Sequence, residues 1–127
     1  MIGYSIFIGR ERKEKTMKSV YEPSRSFIDF HIAGFGHHDG LNVFDELRIG
    51  TKVELRHEPD NPHDPLAVAV YYGDTKLGYV PAGKNSELYT FLYYSHDDLF
   101  EARINMFDES AHPERQFRVG VKITDRR

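Results

Sequence analysis

Apolar and polar residues alternate along much of the chain, and this alternation predicts β-strands. A half-buried strand repeats with a period of two because successive side chains point to opposite faces. In the first such segment Ile28, Phe30 and Ile32 share one face, which we expect to point into the core. In the second, Val53 and Leu55 form the inward face. The six strand candidates are 26–33, 51–57, 67–72, 75–80, 99–107 and 117–124.

The later strands carry the same alternation. Ala102, Ile104 and Met106 share one face of the fifth candidate, and Phe100, Arg103 and Phe107 are among its other residues. The third and fourth candidates are separated only by Gly73 and Asp74, a residue pair typical of a two-residue hairpin turn. Consecutive strands this close together predict antiparallel pairing.

One stretch has the period of a helix. Leu88, Phe91 and Leu92 are spaced i, i+3 and i+4, which predicts an amphipathic helix that ends near residue 95. Either Asn85 or Ser86 is a suitable N-cap.

Three tyrosines, Tyr89, Tyr93 and Tyr94, widen the apolar face of this helix. We interpret them as packing residues and not as a stacking platform.

These elements predict a mainly β (α+β) protein, a small twisted β-barrel of about six strands with one main helix. A short second helix is expected at 41–47. Closure of the sheet is favoured because it removes exposed strand edges. Residues 2–8 are a short apolar run, and residues 10–18 are charged, locally basic and without an apolar face. We therefore expect 1–25 to be an N-terminal arm or appendage and 26–127 to form the folded domain.

Composition narrows the function. The 127 residues include no cysteine, which excludes a disulfide scaffold, a thiolate zinc site and a cysteine nucleophile. The net charge of −3 means that contact with phosphates would require a local basic patch. No apolar run approaches the ~20 residues of a membrane span, so we expect a soluble cytoplasmic protein with no membrane partner.

The motifs of common enzymes are missing. The chain contains neither Gly-x-Ser-x-Gly nor a Walker-type phosphate loop, and its carboxylates are too scattered to suggest an acid–base pair. We therefore predict no cofactor and no catalytic activity, with hydrolase activity only as part of a larger assembly.

Histidines on two loops keep a metal site open as an alternative. His37 and His38 precede Asp39 on one loop, and His63 precedes Asp64 on another. Imidazole and carboxylate groups suit zinc or manganese. Neither loop has the His-x-x-x-His spacing that places two ligands on one helix face, so the main prediction is that no metal is bound. A metal-dependent activity at His37, His38 and His63 remains the third hypothesis.

The stretch 58–70 combines a stiff polar loop with a buried strand. Pro59, Pro62 and Pro65 each fix φ near −65° and remove a backbone donor, so this loop is neither helix nor central strand. The run Asn-Pro-x-Asp-Pro-x-Ala-Val-x-Val at 61–70, followed by Leu-Gly-Tyr-Val-Pro at 77–81, resembles the HIRAN domain. HIRAN domains are small β-rich modules found alone in bacteria and fused to SNF2-type fork-remodelling ATPases in eukaryotes.

The resemblance covers roughly 27–123 and implies an OB-like barrel that captures the free 3′ end of single-stranded DNA. It implies that Asp64 accepts a hydrogen bond from the 3′-hydroxyl and that Asn61 holds the loop or a phosphate. A carboxylate accepts from a hydroxyl but repels a phosphate, so it would select an unblocked end. The implied nucleic-acid-binding residues are His37, Asn61, His63, Asp64, Tyr79 and Lys84.

The remaining implied roles concern bases and phosphates. His37 and His63 occupy positions where the family stacks aromatic side chains on the terminal bases. Tyr79 would line the pocket, and Lys84 would supply charge to the terminal phosphates. The chain departs from the family pattern at Gly36 and His37, where Arg and Tyr are common, and at 82–83, where a basic residue is common.

We therefore predict a non-catalytic module that binds single-stranded DNA at a 3′-hydroxyl end during DNA repair or remodelling. Its expected partners are single-stranded DNA and other DNA-processing proteins. The alternative is a protein-interaction module that keeps this fold and has lost the DNA pocket.

Overall fold

The computed structural model describes residues 24–124, with side chains from residue 26 onward. Most of the proposed arm, 1–23, lies outside the described residues, while Ser24 and Arg25 already belong to the first strand. The strands are β1 (Ser24–His31), β2 (Lys52–His57), β3 (Val68–Tyr72), β4 (Thr75–Tyr79), β5 (Phe100–Phe107) and β6 (Phe117–Thr124), and the α-helix is α1 (Ser86–Tyr93). Short 3₁₀ helices cover Phe35–His37, Asp39–Glu46, Ala82–Lys84, Asp97–Leu99 and Pro113–Arg115.

The six strands form one antiparallel sheet in the order β1-β6-β5-β2-β3-β4. The two edges of this sheet meet just beyond β1, where Ala33 pairs with Tyr79. Each residue donates its backbone N–H to the other's carbonyl, at 2.8 and 2.9 Å. The sheet therefore curls back on itself, and the prediction of a small twisted barrel of about six strands with one main helix is confirmed.

Glycine is required where the two edges meet. Gly78 has a φ of +155°, and a Cβ atom at this position would lie 2.6 Å from Ile32 Cγ2 and would also collide with the carbonyl oxygen of Ala33. No side chain fits between the strands at that distance. The Leu-Gly-Tyr-Val-Pro motif thus carries the residue that lets the edges of the sheet meet.

The predicted inward faces form the core. Phe30 and Ile32 are 1% exposed, and Val53 and Leu55 are also buried, as expected from their alternation. The fully buried side chains of largest volume are Phe30, Phe35, Phe117, Ile32, Leu47, Leu77, Leu88, Ile104, Val68, Val70, Val119 and Val121. None of the helices within 24–124 is long and apolar enough to cross a membrane.

Met106 does not share the buried face of Ala102 and Ile104, although the sequence places all three on one face. Its register with β6 shifts between Ile104 and Met106, because Ile104 pairs with Val119 whereas Met106 pairs with Arg118. This irregularity moves Met106 out of the inward face, and its side chain is 37% exposed. Alternation along one strand contains no signal for such a slip, which depends on the partner strand.

Helix α1 starts where the sequence predicts, but its first residues behave differently. Asn85 precedes the helix and makes no side-chain cap hydrogen bond, because its amide is bound elsewhere. Leu88 and Leu92 are buried as predicted. The packing role expected for Tyr93 and Tyr94 is wrong, since both lie mainly in solvent; Tyr89 is half-buried against the core.

Candidate functional site

The loop between β2 and β3 is held by its own polar side chains. Asn61 Oδ1 accepts hydrogen bonds from the backbone N–H groups of His63 (2.8 Å) and Asp64 (3.0 Å). This is the asparagine-centred turn that Asn-Pro sequences favour, and the flanking prolines restrict the backbone further. The loop therefore presents its side chains at fixed angles to the end of β4.

Asp64 connects this loop to helix α1. Its Oδ1 accepts from the backbone N–H of Leu66 at 2.9 Å, and its Oδ2 accepts from Asn85 Nδ2 at 2.8 Å. Asn85 is 2% exposed, so its amide needs a partner inside the protein. Asp64 itself is half-buried, and each carboxylate oxygen can accept more than one hydrogen bond. The carboxylate is thus held in place and retains acceptor capacity towards solvent.

A second group of side chains surrounds the hydroxyl of Tyr79. The hydroxyl donates to Glu58 Oε1 at 2.8 Å and lies 3.0 Å from the donating Lys76 Nζ. Asn61 Nδ2 lies 3.3 Å from the same hydroxyl and 3.2 Å from Glu58 Oε1. Lys76 Nζ also forms an ion pair with Glu58 Oε2 at 2.6 Å. We call Glu58, Asn61, Lys76 and Tyr79 the Tyr79 network.

The charges of this network stabilise each other. Burial opposes ionisation of Glu58, but hydrogen bonds from Lys76, Tyr79 and Asn61 outweigh it and hold the pKa of Glu58 below its usual value. Burial likewise opposes the charged form of Lys76, yet its contacts with Glu58 and Tyr79 raise the pKa of this amine well above its ordinary range. Both groups are therefore ionised at neutral pH, with 24% of each side chain exposed.

A histidine borders the network. The ring of His38 lies 5.3 Å from the Tyr79 ring with the planes at 70°, an edge-to-face contact. Burial lowers the pKa of His38 from its ordinary value, and the nearby charges of Lys76 and His37 lower it further. The imidazole of His38 is consequently neutral at pH 7 and packs as an aromatic ring.

The structure brings together three of the six predicted site residues: the side chain of Asn61 contacts the hydroxyl of Tyr79 and the backbone N–H of Asp64. The side chain of His63 is exposed on the same loop, and His37 is exposed on the neighbouring 3₁₀ helix. Lys84 is also exposed.

The amine of Lys84 is bound to β1, although the next residue along the chain, Asn85, binds Asp64. The amine donates to the backbone carbonyl of Asp29 in β1, at 2.9 Å.

Sequence analysis missed four residues of this site: Glu58, Lys76, His38 as a packing partner, and Asn85 as the partner of Asp64. Glu58 and Lys76 are 18 residues apart along the chain and meet because β2 and β4 both flank β3. The one signal in the sequence was that an asparagine, Asn85, directly precedes the predicted helix.

The described residues contain no set of ligands for the metal site considered from the sequence. Within residues 24–124, no group of three or more His, Asp or Glu side chains is placed to hold a metal ion. His38 instead packs against Tyr79, away from the role proposed for it together with His37 and His63.

Comparison with known proteins identifies one family and two solved structures with a similar fold. The family model of the HIRAN domain matches residues 26–124. A crystal structure of a protein from Lactobacillus plantarum superimposes with a TM-score of 0.68 at 18% identity, covering 81% of this chain and 97% of that one. The crystal structure of the HIRAN domain of human HLTF gives a TM-score of 0.55 at 17% identity and covers 81% of each chain. At these identities the two structures show a similarity of fold alone. A search of curated proteins finds no match.

Proposed function

Since this chain belongs to the HIRAN-domain family, we propose that it is a non-catalytic nucleic-acid-binding module that captures the free 3′ end of single-stranded DNA. One observation carries the proposal. The stiff loop bearing Asn61 and Asp64 converges with Tyr79 at the closure of the sheet, so an acceptor carboxylate and an aromatic ring lie on either side of Asn61. In this role the chain would act in DNA repair or remodelling beside other DNA-processing proteins.

The half-buried carboxylate of Asp64 is the group proposed to accept from the 3′-hydroxyl. Its hydrogen bonds to Leu66 and Asn85 fix its position before any ligand arrives, which lowers the ordering cost of binding. A terminal phosphate would place negative charge against this carboxylate. The site is therefore expected to discriminate between hydroxyl and phosphate ends.

Aromatic rings around the loop are proposed to hold the last bases. Tyr79 is fixed by its hydroxyl and supported by the neutral ring of His38. His37 and His63 are exposed on the two segments that flank this ring and would stack on the bases. Stacking of one base on an aromatic side chain is worth about 1–3 kcal/mol. Lys84 is proposed to meet a terminal phosphate after releasing the carbonyl of Asp29.

The test is a titration of a 5′-labelled oligothymidine with a free 3′-hydroxyl or a 3′-phosphate, followed by fluorescence anisotropy. The hydroxyl end is expected to bind about tenfold more tightly, a difference of about 1.4 kcal/mol. Asp64→Asn should abolish the preference, whereas Asp60→Asn on the same loop, where the side chain is exposed, should keep it. Equal affinities of the wild type for both ends would refute 3′-end capture.

A second candidate, the protein-interaction module, is favoured by the contacts of two site residues. Both carboxylate oxygens of Asp64 already have partners within the chain, and the amine of Lys84 is bound to a backbone carbonyl. Together with the net charge of −3, these contacts leave few groups ready for phosphates. This candidate predicts no measurable affinity for either oligonucleotide.

A further inference from the structure

Three large aromatic side chains are exposed at the C-terminal end of helix α1, and we call Phe91, Tyr93 and Tyr94 the α1 aromatic surface. These side chains are 39%, 54% and 66% exposed. The rings of Tyr93 and Tyr94 are 5.1 Å apart at 87°, and Tyr93 also stacks on Tyr89 at 5.9 Å. Adjacent large aromatic side chains in solvent mark an interaction surface more often than scattered single ones.

The charged side chains of the segment that forms this surface are all acidic. From residue 86 to residue 101 the chain has no Lys or Arg, and its charged residues are Glu87, Asp97, Asp98 and Glu101. Asp97, Asp98 and Leu92 line a groove of about 1010 Å³ that opens next to the end of α1. Four carboxylates and two cations, Lys52 and Arg56, line the groove, so its net charge is negative. The α1 aromatic surface borders it, because Tyr93 packs against His57 and Phe91 against Phe100, and both partners line the groove.

The opposite wall of the groove contains a cation that is already bound by an aromatic ring and a carboxylate. The guanidinium of Arg56 lies 4.0 Å from the centre of the Tyr71 ring and forms an ion pair with Glu54 at 2.7 Å. This guanidinium donates hydrogen bonds to the carboxylate of Glu54 and to the backbone carbonyl of Gly73. A guanidinium between a tyrosine ring and a carboxylate is thus stable on this face of the protein.

We propose that the α1 aromatic surface and its acidic groove dock an arginine-bearing segment of a partner protein. Guanidinium groups would stack on Tyr93 and Tyr94 and pair with the carboxylate of Asp97. Single-stranded DNA does not fit this surface, because its phosphates would meet carboxylates with no Lys or Arg between residues 86 and 101.

This surface is separate from the proposed DNA-end site and does not depend on it. Asn85, which binds Asp64, lies at the start of α1, and Tyr93 lies at its end. The helical rise places them about 12 Å apart along the helix. A DNA end and a partner segment could therefore be bound at the same time.

The experiment uses the isotope-labelled full chain and a short synthetic peptide that alternates arginine and serine. Addition of the peptide is expected to shift the aromatic NMR signals of Tyr93 and Tyr94 and leave those of Tyr79 unchanged. The same peptide with citrulline in place of arginine keeps the shape and loses the charge, and should bind at least about tenfold more weakly.

Variants separate surface recognition from general charge attraction. The double variant Tyr93→Ser/Tyr94→Ser and the single variant Asp97→Asn should each weaken peptide binding. Leu41→Ser and Ile49→Ser are matched controls, because these apolar side chains are similarly exposed, at 63% and 67%, elsewhere on the fold. These controls should bind the peptide as the wild type does.

Three results would overturn the proposal: no binding of the arginine peptide, equal binding of the citrulline peptide, or shifts of Tyr93 and Tyr94 caused by oligothymidine instead. Because the oligonucleotide assay reports on the other end of α1, failure here leaves the 3′-end proposal standing, and the reverse also holds. Circular dichroism of the double variant establishes that lost binding is not lost folding.

Discussion

At the scale of single residues, the site depends on polar side chains that lie too deep to be left without partners. Glu58 and Lys76 neutralise each other and orient the hydroxyl of Tyr79. Asn61 joins this network to the loop, since its oxygen accepts from the loop backbone and its nitrogen lies beside Tyr79. Removal of any one of these side chains leaves the others partly buried without a hydrogen-bond partner. The free-energy cost of such an unsatisfied group exceeds the net contribution of the hydrogen bond to stability.

Glu58→Gln tests the network through pH. The folded-state pKa of Glu58 is lower than that in the unfolded chain, so its stabilisation is present above a pH of about 4.5 and is lost as the pH falls through the folded-state pKa. The variant should unfold at lower urea concentration at pH 7, with a loss of about 1–3 kcal/mol. The difference between variant and wild type should shrink at pH 3.5.

If the variant and the wild type differed in free energy of unfolding by the same amount at both pH values, the lost contact would not be electrostatic. Glu54→Gln is the control, because Glu54 is an exposed carboxylate that pairs with Arg56 at the surface. Exposed ion pairs contribute about 0–1 kcal/mol, so this variant should change stability little.

Asn85→Ala tests the link between the loop and the helix. The substitution removes the buried donor that binds Asp64 Oδ2 and should lower the free energy of unfolding by about 1–3 kcal/mol. Ser86→Ala is the neighbouring control at an exposed position. If thermal denaturation found the two variants equally stable, the Asp64–Asn85 contact would contribute nothing to the fold.

At the scale of elements, the site exists because two strands distant in the sheet order approach each other. β1 and β4 are the edges of the sheet, and the Ala33–Tyr79 pair joins them. This pairing places Tyr79 next to His38, which lies between the first two 3₁₀ helices, and beside the loop after β2. The same pairing also removes part of an exposed edge that would otherwise be open to association with other chains.

Gly78→Ala is expected to disrupt this junction. The added Cβ would overlap Ile32 Cγ2 and the backbone of Ala33, and overpacking of this kind costs about 1–3 kcal/mol. Gly83→Ala is the control, since a Cβ there meets nothing within 4 Å. Urea denaturation should show a lower midpoint only for Gly78→Ala, and an unchanged midpoint would mean that the junction is loose.

At the scale of the whole molecule, charge limits how DNA could be bound in the proposed function. A chain with a net charge of −3 does not attract a polyanion from a distance. In the proposed function, affinity would then come from a few local contacts at the strand end, namely the hydroxyl, the last bases and the nearest phosphates. This differs from binding along a basic groove, which neutralises many phosphates.

The salt dependence of binding measures the number of these phosphates. If two or three are contacted, the logarithm of the association constant should fall with the logarithm of salt concentration with a slope of about −1.4 to −2.1. Anisotropy titrations of oligothymidine at several salt concentrations give this slope. A much steeper slope would indicate an extended basic interface, and Lys84→Ala should make the measured slope shallower by about 0.7.

The chain itself determined the strands, the hairpin at Gly73–Asp74 and the start of α1, because these follow from local periodicity and turn chemistry. Its Asn-Pro-x-Asp and Leu-Gly-Tyr-Val-Pro motifs also indicated the family, which the match to residues 26–124 confirms. The roles of Asp64 and the other proposed DNA-binding residues stay predictions. Residues near one another along the chain were sufficient for each of these inferences.

Only the tertiary structure decided the partners of the site. The Glu58–Lys76 ion pair, the capture of the Asn85 amide by Asp64 and the exposure of Met106 each depend on which strands and loops become neighbours. The same is true of Tyr93 and Tyr94, whose helical spacing favoured burial but which extend past the edge of the core. Periodicity states which face of an element is apolar, whereas the curl of the sheet sets how far along that face the core reaches.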